Sequence, residues 1–120
     1  MHRERMDLTR TAKIFLANAA WRATGARWAG RTLVDSLGSV DPDSATIAGT
    51  LLARSGERAE PLLLDALHER RQLGTVLLLL GDVGRPERAS DISPFARDPD
   101  PDVARAARDA LRILQARHGH

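Results

Sequence analysis

Apolar residues recur along most of this chain at the three-and-four spacing of an amphipathic helix, and residues 98–114 (DPDPDVARAARDALRIL) show the pattern in full. Val103, Ala106, Ala107, Ala110, Leu111 and Leu114 fall on one side of such a helix, with Arg105, Arg108, Asp109 and Arg112 on the other. The helix therefore buries one face. Its start is marked by Asp100, whose carboxylate can accept a backbone N–H of the first turn, and by Pro101 at the first helical position, where a missing N–H costs nothing.

The same device occurs earlier. Asp41-Pro42-Asp43 precedes Ile47, Ala48, Leu51 and Leu52, and a shift of 59 residues lays this segment on the Asp100 helix, Asp41 on Asp100 and Leu52 on Leu111. Two units of about 30 residues fit that interval, a period used by stacked helical repeats. Between them, LLARSGERAEPLL (51–63) and LLGDVGRPERASDI (79–92) share a helix tail, a glycine stop (Gly56, Gly84) and a new helix opening at an alanine. With these motifs, residues 30–117 resemble the HEAT-like repeats of the phycobilisome-lyase type. The resemblance implies a short right-handed α-solenoid of helical hairpins and a role as an interaction scaffold; it carries over no catalytic residue.

Taken in order, residues 1–6 are polar and are expected to fray. A helix is predicted from Asp7, with Leu8, Ala12, Phe15, Leu16, Ala19 and Ala23 as its main inward stripe and Ile14, Ala17 and Trp21 as a second stripe opposite. A helix apolar on two sides is buried on both or offers one to a partner. Gly25 ends it, and residues 26–37 form the next helix, with Ala26, Gly30, Leu33 and Leu37 inward and Trp28 pointing away. A helix over 59–70 buries Leu63, Ala66 and Leu67. Residues 72–81 are apolar nearly all round, which predicts the most enclosed helix; their lack of β-branching argues against a strand. Pro94 comes too late for a first turn and is expected to kink or shorten the helix over 86–97. Beyond Gln115 the chain is expected to fray.

Composition supports the helical reading. The chain has 120 residues, one domain's length, and combines 42% hydrophobic with only 3% aromatic residues, so its interior is built of Ala, Leu, Val and Ile. Having no cysteine, it has no disulfide framework, no cysteine-bound zinc and no thiol nucleophile. The apolar run at 14–21 is too short to span a bilayer, and Asn18 and Arg22 interrupt it as a signal-peptide core. The expected location is cytoplasmic. Charge is asymmetric: residues 1–34 carry seven basic side chains against Glu4 and Asp7, a net of +5, and residues 35–120 carry a net of −3. The pI of 10.3 thus belongs to the N-terminal third.

Candidate chemistry is sparse. Asp98, Asp100, Asp102 and Asp109 have calcium-loop spacing, but Val103 stands where the loop's turn needs glycine, and helix capping accounts for them. His2, His118 and His120 are terminal, and His68 has no second ligand at helical spacing. No phosphate loop, nucleophile elbow or Ser/His/Asp arrangement occurs. The expectation is a non-enzyme with no metal and no cofactor.

Together these readings predict an all-α, single-domain protein of about seven helices: residues 1–6 frayed, a basic helical pair at 7–38, and repeats at 39–117. The expected function is a protein-interaction scaffold whose groove presents Asp65, His68, Glu69, Arg88 and Arg97, with an uncapped end open to self-association. The alternative is a nucleic-acid or anionic membrane-surface binder using Trp21, Arg22, Arg27, Trp28 and Arg31. Two readings of the tryptophans compete. In one they cover each other and cap the end of the stack; in the other they are exposed anchors among cations.

Overall fold

The computed structural model describes the backbone of residues 2–119 and the side chains of residues 11–119. Those residues are helical with no strand among them, as the periodicity predicts. Expectations for the side chains of residues 1–10, Leu8 included, and for Met1 and His120 lie outside the described residues. The chain divides into two compact units, Met1–Arg54 and Ser55–His120.

The first unit opens with α1 (His2–Thr24) and α2 (Arg27–Ser36). α1 begins at His2, not at Asp7; Arg, Glu and Met are good helix formers, so polarity alone does not fray the segment. Gly25 ends α1 in the left-handed conformation (φ 70°), donating its N–H to the Trp21 carbonyl at 2.7 Å. α2 packs back on α1 and buries Ala29, Gly30, Leu33 and Val34.

The face that α1 offers is the reverse of the expected one. Ile14 (2% exposed) and Ala17 are buried, Trp21 is half-buried, and Ala12, Phe15, Leu16, Ala19 and Ala23 are exposed. The physical reason lies in α2. Its inward side carries Ala29 and Gly30, small residues that let two helices approach closely, and the narrow Ile14–Ala17 edge suits that approach better than a stripe widened by Phe15 and Leu16.

α3 (Pro42–Ser55) is capped by Asp41. Its Oδ1 accepts the Asp43 N–H at 3.2 Å and its Oδ2 accepts the buried Ser44 hydroxyl at 2.7 Å.

The second unit starts with a 3-10 turn, Gly56–Ala59, that leads into α4 (Glu60–His68). α5 (Leu73–Val83) follows, burying Val76, Leu77, Leu79, Leu80, Gly81 and Val83. The four leucines are helical, and of them only Leu78 is exposed. Between α5 and α7 (Pro101–His118) runs a broken element: a 3-10 turn at Pro86–Arg88, the short α6 (Ala89–Ile92) and a second 3-10 stretch, Ser93–Arg97, that contains Pro94. Proline removes one N–H and clashes with the preceding turn, and α6 gives way at the residue before it.

α7 packs more extensively on α5 than on any other element. Asp100 caps it, accepting the Asp102 N–H at 2.9 Å, and Val103, Ala106, Ala107, Ala110 and Leu114 are buried as the stripe predicts, with Leu111 half-buried. At their crossing the backbones nearly touch: a β-carbon on Gly81 would lie 2.9 Å from the Cα and carbonyl oxygen of Ala110.

The end of α7 does not fray after Gln115. Arg117 Nη1 donates to the carbonyls of Gly81 (2.8 Å) and Gly84 (2.9 Å), and His118 Nε2 lies 3.1 Å from the Gly84 oxygen. The last carbonyls of a helix have no partners inside it, so α7 closes the end of α5 and is itself held by doing so.

Candidate functional site

The residues expected to carry binding fall into two groups. In the second unit, Asp65, His68, Glu69 and Arg97 are exposed. His68 is the last residue of α4, where a basic side chain suits the helix dipole, and Glu69 pairs with Arg71 at 3.3 Å. Arg88 stands apart from these exposed residues. It is half-buried, 3.3 Å from Glu60 Oε1 and 3.0 Å from Asp91, and serves the interior of the unit.

Glu60 is the centre of that interior cluster, and sequence reasoning missed it. Only 3% exposed, it accepts the Arg85 backbone N–H on Oε2 at 2.9 Å and the Arg85 guanidinium on Oε1 at 2.8 and 3.3 Å. Burial pushes its carboxyl up, but the Arg85 hydrogen bonds and the charges of Arg85 and Arg88 outweigh burial and hold it below its ordinary value. A glutamate locked between two arginines fastens α4 to the turn after α5.

The acidic cluster at 98–102 is likewise engaged. Asp98 accepts Arg70 Nη2 at 2.8 Å and the Asp100 N–H at 3.0 Å; the Arg70 and Asp100 bonds hold its carboxyl below the usual range. Asp100 caps α7 and Asp109 pairs with Arg112. Among the described residues no three His, Asp or Glu side chains are grouped to hold a metal ion.

A cleft of about 340 Å³ in the first unit is lined by Lys13, Ile14, Thr32, Asp35, Ser36, Ser39 and Ser44. Its hydroxyls are occupied: Ser44 donates to Asp41, Ser36 donates to the Thr32 carbonyl at 2.8 Å, and Ser39 accepts the Asp41 N–H at 3.1 Å. Among the described residues no histidine lines it to activate a serine.

In the first unit, Arg22, Arg27 and Arg31 are exposed, Trp21 is half-buried and Trp28 is 62% exposed. An indole so open is not covered by the other, which overturns the mutual capping of the two tryptophans. The exposed set is larger than expected, because the inverted α1 adds Phe15 (50% exposed) and Leu16 (69%) with Ala12, Ala19 and Ala23 on the same helix face. The signal was present as the second apolar stripe of α1; the pattern alone does not say which of two stripes turns inward. From 11 to 34 the chain carries Lys13, Arg22, Arg27 and Arg31 and no carboxylate. Exposed apolar side chains on α1 thus accompany four exposed cations, Lys13 and Arg22 on α1 and Arg27 and Arg31 on α2.

No helix among the described residues is long and apolar enough to cross a membrane. Compared with known proteins, the chain matches no protein-family model, no curated protein and no solved structure.

Proposed function

We propose that this chain is a non-catalytic protein-interaction module, cytoplasmic and built from HEAT-like helical hairpins, that docks its partner through the outer face of α1. One observation carries the reading. Phe15 and Leu16 stand open to solvent on a helix whose opposite edge is already packed. Large apolar groups exposed together on one face mark an interaction site in a water-soluble fold. The matching Asp-Pro-Asp caps of α3 and α7 support the repeat architecture, and the occupied hydroxyls and locked carboxylates support a role without catalysis. The test is site-specific photo-crosslinking in the native host. A photoreactive residue at position 16 is expected to give discrete protein adducts, and one at position 105, on the exposed side of α7, is not. Equal labelling from both positions, or none from position 16, overturns the proposal.

A second reading, docking on nucleic acid or an anionic membrane surface, draws on the uninterrupted positive charge of residues 11–34. Binding to such a polyanion falls steeply and linearly with the logarithm of salt concentration, whereas an apolar protein interface responds weakly.

A further inference from the structure

We propose that the partner of this surface is an amphipathic helix of another protein, with an apolar stripe flanked by acidic residues. The proposal rests on the α1 docking reading and names the chemistry of what docks there. Ala12, Phe15, Leu16, Ala19 and Ala23 recur at the spacing that a second helix meets with its own i, i+3, i+4 and i+7 residues. Three of the five are alanines, which let a partner's backbone come within the 8–10 Å typical of packed helices, while Phe15 and Leu16 supply the bulk that enters its grooves.

Charge selects among the occupants. Every charged side chain from 11 to 34 is a cation, with Asp35 the one carboxylate of α2, and Lys13 and Arg27 are exposed. A second copy of the chain would bring this positive field against itself, whereas carboxylates along the edges of a partner helix are attracted to it. A lipid surface is the weaker fit. Interfacial helices hold to membranes by burying large apolar groups, and among the described residues this face of α1 offers Phe15 and Leu16 for that purpose; its alanines add little apolar area.

The experiment uses the full chain and two synthetic helical peptides with the same leucine stripe, one flanked by glutamates and one by lysines. Vesicles containing phosphatidylserine are run in parallel. The glutamate peptide is expected to bind, to shift the backbone amide resonances of residues 12–23, and to weaken about tenfold or more with Leu16→Glu. Lys13→Glu combined with Arg27→Glu is expected to weaken it as well, and the lysine peptide is expected not to bind. Leu16 is 69% exposed, so Leu16→Glu should leave the melting temperature unchanged; Ala19→Glu on the same face is the second variant. The proposal is overturned by equal binding of both peptides, by vesicle binding without peptide binding, or by self-association that Leu16→Glu abolishes. Absence of peptide binding while position 16 still crosslinks to a protein overturns the acidic-helix partner and leaves the docking surface standing.

Discussion

Arg85 donates to Glu60 twice over, from its backbone N–H and from its guanidinium, across 25 residues of sequence. Glu60 is the buried end of the pair, and Arg85 is half open to solvent. Removing the carboxylate by Glu60→Ala takes away the acceptor of the Arg85 backbone N–H and guanidinium and the countercharge of the half-buried Arg88. Urea denaturation is expected to show a loss of about 1–3 kcal/mol.

The same cluster sets a pH dependence. Arg85 and Arg88 hold the Glu60 carboxyl below its ordinary value in the folded chain, so on acidification the unfolded chain takes up its proton first. The stabilisation is complete above about pH 5 and disappears as pH falls through the folded value. Asp98 acts in the same direction. Melting temperatures measured from pH 6 downward, values of roughly that range being chosen to bracket the carboxylates, are expected to fall, and Glu60→Gln to fall less steeply than wild type. An identical slope in both would deny Glu60 this role.

Two glycines of one helix are expected to respond oppositely to the same change. A methyl group at Gly81 meets Ala110 backbone at 2.9 Å, while Gly74 has nothing within 4 Å. Gly81→Ala is expected to cost about 1–3 kcal/mol by overpacking. Gly74→Ala is expected to be neutral or stabilising by about 0.4–1 kcal/mol, through helix propensity and a less flexible unfolded chain. Chemical denaturation of the pair measures both.

Core leucines give a third comparison. Leu77 and Leu80 are fully buried and Leu64 is half-buried, so Leu77→Ala and Leu80→Ala are expected to cost about 2–5 kcal/mol each, and Leu64→Ala less. Similar small losses at all three would place α5 at the periphery.

Fluorescence tests the inverted first helix. With Trp21→Phe, the remaining Trp28 is expected to emit to the red and to be quenched readily by acrylamide, given its 62% exposure. With Trp28→Phe, the half-buried Trp21 is expected to emit further to the blue and to resist quenching. Matching spectra would contradict the orientation of α1.

What the sequence reveals here depends on how local the cause is. The cap at Asp100, the stop at Gly25 and the break before Pro94 are each decided within one helical turn, and each is legible. The leucine-rich helix is legible because its apolar residues run all round it. The inward side of α1 is not, since both of its stripes are apolar and the choice lies in the small residues of α2. Glu60 and Arg85 are far apart in sequence, so each alone looks like a solvated surface charge. Arg117 binds main-chain carbonyls, which leave no mark in any side-chain pattern. The candidate surface is half legible: Trp28 and its cations stand out, while the stripe pattern places Phe15 and Leu16 in the interior.

The dependence of α5 on α7 also has a bearing on synthesis. α5 leaves the ribosome first, complete at Val83 with its run of leucines, 77–80, inside it, but the helix that covers it ends only at His118. At translation rates of about 5–20 residues per second, that segment waits on the order of a few seconds for its cover. A short, uncharged, strongly apolar window exposed for that long is prone to aggregate. Conditions that slow elongation across residues 84–118 should therefore lower the yield of folded protein more than slowing elsewhere, and a holding chaperone should restore it.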